Sequence, residues 1–482
     1  MGNPKAFLTI ERKEAGYRPV EERKYDFSEV EQTLNTTDRM AQASRCMDCG
    51  VPFCHWACPL GNLNPEWQDM AYKGKWREAA YTLLSTNNFP EFTGRICPAL
   101  CEKACVLGHS CGQSVTCREN EVAIIERAFS EGYIEPHIPA KRTGRKVAVI
   151  GSGPSGLAAA DCLNKAGHTV TVYEKNESAG GLLRFGIPDF KLSKKVIDRR
   201  LEVMKAEGVT FQTGVMAGKD ISADALLSEY DAVCLCMGAE QPRDLPVEGR
   251  NLKGVHFALE LLQQQNRVNA GVTVADTDRI TAKGKRVIVI GGGDTGSDCV
   301  GTAIRQGAVS VLQIEIMPMP PKDFNPATPW PMWPNILRTS SSHKEGCQRR
   351  WNLSTNKFIG DEAGNLKAVE IEEVEWKPAE GGGRPAMVKT GRTEVIEVEL
   401  ALLAMGFTQP KHPGLLDTLG VAYDQRGNVA VDSSQATSVA KVFAAGDVST
   451  GASLVVRSIA SGRRTAKFIN DFLNVNYQPS TK

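Results

Sequence analysis

Neither sign of charge is in excess in this 482-residue chain: 57 Lys and Arg against 56 Asp and Glu leave a formal +1. Without a bulk basic field, nothing draws nucleic acid or an anionic membrane surface to it. No uninterrupted apolar run reaches the roughly 18 residues of a membrane-spanning helix. The opening segment runs at once into Glu11, Arg12, Lys13 and Glu14, so it lacks the apolar core of a secretory signal. A cytosolic protein, with neither nucleic acid nor membrane as partner, is expected. No Gly-x-Ser-x-Gly elbow occurs, which argues against a serine nucleophile of that type. Hydrophobic residues at 41% and charged residues at 23% exclude a disordered, collagen-like or coiled-coil chain, and the length implies two or three domains.

Cysteine is what the chain has in unusual supply. Nine of its 14 lie between Cys46 and Cys117, and the other five, Cys162, Cys234, Cys236, Cys299 and Cys347, are scattered. A chain that is neither small nor evidently secreted should not use thiols as a disulfide framework. Of the scattered ones, Cys162, Cys234, Cys236 and Cys299 sit among apolar or small residues and read as small hydrophobes, whereas the clustered ones look selected for chemistry. Soft thiolates select iron–sulfur clusters or zinc, and the run Cys46-x2-Cys49-x4-Cys54-x3-Cys58-Pro59 is closer to ferredoxin runs than to zinc ribbons. Taken in order, Cys46, Cys49, Cys54 and Cys58 would hold one cluster, and Cys97, Cys101, Cys105 with Cys111 or Cys117 another. His55 and His109 flank these residues and are expected in packing or solvent contact.

Residues 1 to about 40 are charged, punctuated by Pro4 and Pro19, and read as an extended arm placed to wrap a partner or cap a domain. Helical patterns over 65–85 and 119–129 make 1–144 an α-helical domain. Pro136, Pro139 and the basic run Lys141, Arg142, Arg145 and Lys146 form a linker. The pattern then changes to α/β. The apolar strand Val147-Ala148-Val149-Ile150 leads into Gly151-Ser152-Gly153-Pro154-Ser155-Gly156, a helix over 157–166, and a strand over 169–173 ending in Glu174. That is a dinucleotide fingerprint: glycines for the turn and for pyrophosphate approach, Pro154 in the first helical turn, and a carboxylate for the ribose. The pattern returns as a strand over 286–290, then Gly291-Gly292-Gly293-Asp294-Thr295-Gly296, a helix, and a strand over 310–314 ending in Glu315. Two dinucleotide sites are implied. Near the end Ala444-Ala445-Gly446-Asp447 closes another strand before a helical segment over 453–473. Short strands ending in glycine over 234–238 and 402–406 bracket the second fingerprint, so the first Rossmann unit is split by insertion of the second.

These features resemble the two-dinucleotide-binding flavoprotein superfamily, in which the first fold holds FAD and the inserted one NAD(P)H. The chain is similar throughout to the glutamate synthase small (β) subunit family, which shares its sequence pattern with the N-terminal part of dihydropyrimidine dehydrogenase. The cysteine run carries that resemblance, with Gly180-Gly181-Leu182-Leu183-Arg184-Phe185-Gly186-Ile187-Pro188, the stretch GGGDTGSDC from Gly291 to Cys299, Pro329-Trp330-Pro331-Met332-Trp333-Pro334, and Ser453-Leu454-Val455-Val456. One departure is visible: where the family often has Arg-Arg-Gly-Gln and a later Trp, this chain has Val448-Ser449-Thr450-Gly451-Ala452, and Arg457.

The resemblance implies an FAD domain over 145–250 and 406–482, an NAD(P)H domain over 251–405, and an iron–sulfur domain over 1–144. Gly181, Leu182, Arg184, Gly238, Gly446, Asp447 and Leu454 would join Gly151, Gly153, Pro154, Ser155, Gly156 and Glu174 at the flavin. Gly291, Gly292, Gly293, Asp294, Thr295, Gly296 and Glu315 would hold the nicotinamide nucleotide. The clusters would be crossed: Cys46, Cys49, Cys54 and Cys105 on one [4Fe-4S], and Cys58, Cys97 and Cys101 on the other. The fourth ligand of the second is a glutamine in dihydropyrimidine dehydrogenase and falls on Glu121 here, with Cys111 and Cys117 as competitors.

An acid such as Glu315 favours NADH, whereas Lys322, Lys344, Arg349 and Arg350 are candidate partners for the extra phosphate of NADPH. The segment 325–334 is placed to cover the nicotinamide, to meet another subunit, or to form a rigid surface loop. No Cys-x2-Cys or Cys-x4-Cys stands beside either fingerprint, which argues against a dithiol reductase. The expected reaction is hydride transfer from NAD(P)H to FAD, then single-electron passage through the clusters to an acceptor, the glutamate synthase large (α) subunit by resemblance. Within the family, that subunit makes glutamate from glutamine and 2-oxoglutarate. The alternatives are an NAD(P)H:ferredoxin-type oxidoreductase subunit or a zinc-stabilised scaffold without catalysis.

Overall fold

A computed structural model describes residues 3, 5–378 and 385–475. Met1, Gly2 and Pro4 of the arm, 379–384 of the inserted unit and 476–482 of the split unit lie outside the described residues. Ahead of residue 144 the described residues hold helices and one isolated bridge, Tyr17 to Glu31, but no strand. The core there is Trp67, Trp76, Leu83, Ile124 and Ile125. The continuous helix expected over 65–85 is two, Asn64–Tyr72 and Trp76–Thr86, because Gly74 adopts φ +72°, a left-handed turn that ends the first. The helix expected over 119–129 is Cys117–Ser130.

From Lys146 the chain builds a five-stranded parallel sheet in the order Val442–Ala444, Ala232–Leu235, Lys146–Ile150, Thr169–Glu174, Thr210–Thr213. Its central strands are apolar without alternation because both faces are covered. On one face the helix Pro154–Lys165 lies against the C-terminal helix Val455–Val475. The approach is so close that a Cβ at Gly462 would stand 2.2 Å from the Ser155 carbonyl oxygen.

The chain leaves this unit through Gln241–Pro242 and returns through Phe407–Gln409, which pair antiparallel with each other. Between the crossings lies a second parallel sheet, ordered Val255–Phe257, Leu400–Leu403, Arg286–Ile290, Ser310–Glu315, Cys347–Trp351. It carries an antiparallel sheet of three strands, Leu353–Gly360, Leu366–Lys377 and Ala386–Glu397, which the sequence reading did not anticipate. Val369, Ile371 and Val374 fill its buried face, so a weak apolar alternation within the acidic 366–377 stretch was its signal. No helix among the described residues is long and apolar enough to cross a membrane.

Candidate functional site

Each glycine-rich turn sits at the carboxyl end of its sheet, where a strand hands over to a helix. Gly151 takes φ +103° and Gly291 φ +124°, conformations that side chains rarely adopt. Gly153 and Gly293, which cap the two helices, have no side chain to occupy the first helical N–H groups, which stay available to an anion. Both carboxylates at the strand ends bond back to their glycine-rich turns. Glu174 accepts from the Ser152 hydroxyl, from the Ser152 N–H at 3.3 Å and from the Asn176 N–H at 2.9 Å. Glu315 accepts from the Gly292 N–H at 2.6 Å.

Other residues gather about the first turn. A Cβ at Gly181 would lie 2.8 Å from the Gly153 Cα, and one at Gly446 would lie 2.6 Å from the Ser155 Oγ. Asp447 begins a short helix beside Gly446 and accepts from the Ser453 hydroxyl at 2.8 Å and the Ser458 hydroxyl at 3.2 Å. Leu454 precedes the C-terminal helix directly, and Gly238 follows the strand Ala232–Leu235 at φ +78°. Leu182 is 42% exposed, an unpaired apolar side chain beside the turn. Arg184 uses its guanidinium on the Ala179 carbonyl, 2.6 Å away, and on Asp198. Asn266, from the inserted unit, donates to the carbonyls of Arg184, Phe185 and Ile187 at 3.1, 3.0 and 2.9 Å. No sequence signal marked that clamp, because the contact is 80 residues long.

At the second turn Pro154 and Ser155 have their counterparts in Asp294 and Thr295, the first residues of the helix Asp294–Arg305. A Cβ at Gly296 would stand 2.3 Å from the Gly291 carbonyl oxygen. A relay that sequence reasoning missed supports this turn. The Ser340 N–H donates to His343 Nδ1 at 3.1 Å, so the imidazole proton is on Nε2, which donates to Gln313 Oε1 at 2.8 Å. Gln313 Nε2 then donates to the Gly291 carbonyl at 2.8 Å.

Burial, with Arg349 and Lys191 nearby, holds His343 down to about 4. An unfolded histidine titrates near 6.5, so below that pH the unfolded chain binds the extra proton and stability falls as pH drops from about 6.5 towards 4. His343→Gln should flatten that part of the curve, which urea unfolding midpoints at several pH values would measure.

The cysteines divide into two groups. Cys46, Cys49, Cys54 and Cys105 line one cavity, with the buried Cys117 at its wall. Cys58, Cys97 and Cys101 lie within each other's electrostatic reach and Glu121 acts on both Cys58 and Cys97, while Cys101 also reaches Cys54 and Cys117 and so stands between the two groups. This grouping cuts across sequence order, because the helix Phe53–Ala57 packs on Leu100–Lys103 and interleaves the two turns. Two non-glycine residues take left-handed backbone inside the ligand-bearing turns, Asp48 at φ +52° and Ala99 at φ +63°. Burial pushes the Cys46 and Cys58 thiols up to about 12 and raises those of Cys54 and Cys97 further.

Glu121 is 6% exposed, accepts from Asn87 Nδ2 at 2.8 Å and Thr93 Oγ1 at 2.6 Å, and is pushed up to about 7 by burial. Of its two rivals, Cys117 hydrogen-bonds with Cys101, whereas Cys111 is exposed and donates to the Leu107 carbonyl at 3.1 Å. His55 lies 3.3 Å from Glu66. His109 stacks at 4.5 Å on Trp330, whose other neighbour is Phe53 at 4.6 Å. The Pro/Trp segment therefore folds from the inserted unit onto the cysteine domain of the same chain. Leu60 and Ile96, beside Cys58 and Cys97, pack against the core of the split unit. The Cys58 group is thus the one that abuts the first fingerprint's domain.

Among the described residues no three His, Cys, Asp or Glu side chains are grouped so as to hold a single metal ion. Cys46, Cys49, Cys54 and Cys105 line one cavity, which fits a polynuclear centre that takes one thiolate per iron.

Two Rossmann units, one inserted in the other and joined to a helical domain with two thiol groups, define an iron–sulfur flavoprotein oxidoreductase. Residues 145–462 match the family described as pyridine nucleotide-disulphide oxidoreductase, and 23–133 that described as dihydropyrimidine dehydrogenase domain II, 4Fe-4S cluster. The glutamate synthase [NADPH] small chain of Mycobacterium tuberculosis is 49% identical over 477 residues, covering 98% of this chain and 96% of that one. The namesake from Bacillus subtilis is 41% identical over 488 residues, covering 98% and 99%. Glutamate synthase [NADH] of Saccharomyces cerevisiae is 41% identical over 490 residues, which are 99% of this chain and 23% of that protein. The structure of Mycobacterium tuberculosis FprA in complex with NADPH shares the fold, with a TM-score of 0.55 and 17% identity over 69% of this chain and 85% of that one. The chain belongs to the glutamate synthase small-chain family. It is an NAD(P)H-dependent oxidoreductase with an electron-transfer role, and its cofactors are FAD and 4Fe-4S.

Proposed function

We propose that this chain is the electron-entry subunit of a cytosolic glutamate synthase, which oxidises NAD(P)H and supplies electrons to a large subunit that makes glutamate from glutamine and 2-oxoglutarate. The observation that carries this reading is the union of two fingerprint turns and two thiol groups in one continuous scaffold. FAD supplies the conversion of a two-electron hydride into single electrons, which 4Fe-4S centres carry.

The residues do the rest by position. Gly151, Gly153, Pro154, Ser155 and Gly156 would take the flavin pyrophosphate, with Glu174 on its ribose. Gly181, Leu182, Arg184, Gly238, Gly446, Asp447 and Leu454 would shape the remainder of that site, Arg184 through Ala179 and Asp198. Gly291 to Gly296 and Glu315 would take the nicotinamide nucleotide. Cys46, Cys49, Cys54 and Cys105 would hold one 4Fe-4S centre, and Cys58, Cys97, Cys101 and Glu121 the other. The corresponding division of the chain is 1–144 for the clusters, 145–250 with 406–482 for FAD, and 251–405 for the nucleotide. Relatives are named for NADPH and for NADH, so either nucleotide is proposed as the reductant.

Anaerobically purified protein should contain about eight iron, as much acid-labile sulfide, and one FAD per chain. Its absorbance should bleach on adding NADPH or NADH. Zinc with little iron, or flavin that neither nucleotide bleaches, would sink the proposal. Mixing with the large subunit should then confer NAD(P)H-dependent glutamate formation.

A further inference from the structure

Arg23 sits in a charged, surface-running arm, on a helix of only four residues, yet it is 3% exposed. Its Nε donates to Glu345 Oε1 at 2.7 Å, its Nη2 to the Ser341 carbonyl at 2.9 Å, and its Nη1 to the Arg18 carbonyl at 3.0 Å. The same carboxylate receives Arg305, whose Nη1 lies 2.6 Å from Oε2 and whose Nη2 lies 3.2 Å from Oε1. Two arginines thus share one buried carboxylate. A buried ionic network is poor evidence of stabilisation, since apolar replacements of similar volume often do as well. What it supplies is a defined orientation, because each guanidinium has fixed donor directions.

The segment that Arg23 grips leads into the second fingerprint by two routes. The Ser340 and Ser297 hydroxyls lie 2.6 Å apart, and Ser297 is in the first turn of the helix Asp294–Arg305. Ser340 also orients His343, which holds Gln313 and through it the Gly291 carbonyl. Arg305 closes the loop, because it lies at the far end of that helix. On its other side the arm is fastened to the split unit: the Val30 N–H donates to the Phe190 carbonyl at 3.0 Å, and Glu29 accepts from the Ser193 N–H at 2.9 Å. Between these anchors Arg305 Nε donates to the Asp26 carbonyl at 2.8 Å, and its guanidinium lies 3.9 Å over the Phe190 ring.

We infer that Arg23 is a positioning residue for hydride transfer: the arm pins the 339–345 segment, and that segment sets the nicotinamide fingerprint relative to the flavin unit. The inference rests on the assignment of the two fingerprints proposed above. Hydride transfer demands reacting atoms about 3–3.5 Å apart, and a misplacement of about 1 Å costs on the order of 100-fold. Arg23→Ala leaves Glu345 paired with Arg305, so no charge is stranded.

The test uses full-length protein loaded with flavin and iron. Arg23→Ala should slow flavin bleaching by saturating NADPH or NADH about 10-fold or more in stopped flow. Its iron and FAD content should stay unchanged, as should the rate at which ferricyanide reoxidises the dithionite-reduced protein, which bypasses the nucleotide site. Arg23→Lys should recover part of the rate. Independently of turnover, amide exchange of the 286–305 peptide should rise in Arg23→Ala without nucleotide. Ser340→Ala keeps the ion network and cuts its link to Ser297, so it should slow bleaching in the same sense even if Arg23→Ala fails to fold. Unchanged bleaching in the folded variants overturns the inference. So does a fall in bleaching and reoxidation together, which would mark a merely structural role. Wild-type flavin that neither nucleotide bleaches would instead overturn the functional reading on which the inference stands.

Discussion

Cys105→Ser should remove the same iron–sulfur signal as Cys46→Ser, although 58 residues separate the two positions and Cys101 is only four away. Each variant should lose about half of the iron and keep the other cluster's spectrum. Cys97→Ser should lose the complementary half. The reason is spatial: Cys105 lines the cavity formed by Cys46, Cys49 and Cys54, while Cys97 lies with Cys58 and Cys101. Serine preserves the size of the side chain but offers iron a hard, rarely ionised hydroxyl in place of a thiolate. Iron and sulfide analysis, with electron paramagnetic resonance of the reduced protein, reads the outcome. Matching spectra from Cys105→Ser and Cys97→Ser would show that the ligands follow sequence order and that the crossed arrangement is wrong.

A single methyl group at Gly156 should lower the flavin content of the purified protein. It would stand 1.9 Å from the Gly151 carbonyl oxygen and 3.0 Å from the carbonyl carbon. The backbone around Gly151 is also tightly packed, since a Cβ built there would lie 2.5 Å from the Cys236 carbonyl oxygen. Overpacking of this kind costs about 1–3 kcal/mol of fold stability. A turn that shifts to relieve it moves its N–H groups away from the pyrophosphate, and a loss of the same size in binding weakens FAD affinity about 5- to 140-fold at about 1.4 kcal/mol per tenfold. Gly156→Ala protein should therefore purify pale in the flavin bands while keeping its iron. Gly153→Ala is the control, since a Cβ there meets nothing within 4 Å, so the thermal stability of its flavin-free form should be unchanged. Equal loss of stability in the two flavin-free variants would remove the steric explanation.

The parts of the site carried by short, local signals were legible in the chain. A strand, a Gly-rich turn and a helix occupy consecutive residues, so both fingerprints and the carboxylates Glu174 and Glu315 follow from spacing alone. The thiols of Cys46 to Cys58 announce themselves by spacing in the same way. What could not be read were contacts that close over long separations. The grip of Asn266 on the 184–187 loop and the Ser340–His343–Gln313 relay carry no local pattern. Trp330 was noticed as part of an unusual segment, yet only the fold shows that it stacks on His109, 221 residues earlier. The split of the helix at Gly74 was missed because apolar periodicity continues through a left-handed turn that interrupts only the backbone.

Sequence by itself determined the chemistry of this protein: two nucleotide turns and a supply of thiolates, because those functions need particular residue types at fixed local spacing. Tertiary structure decided how they are combined. Which thiols lie near one another, which of them abut the split unit, and how an N-terminal arginine reaches the second glycine-rich turn all depend on packing between distant segments. The physical reason is that hydrogen bonds and apolar contacts act over a few ångströms of space, whatever the distance along the chain.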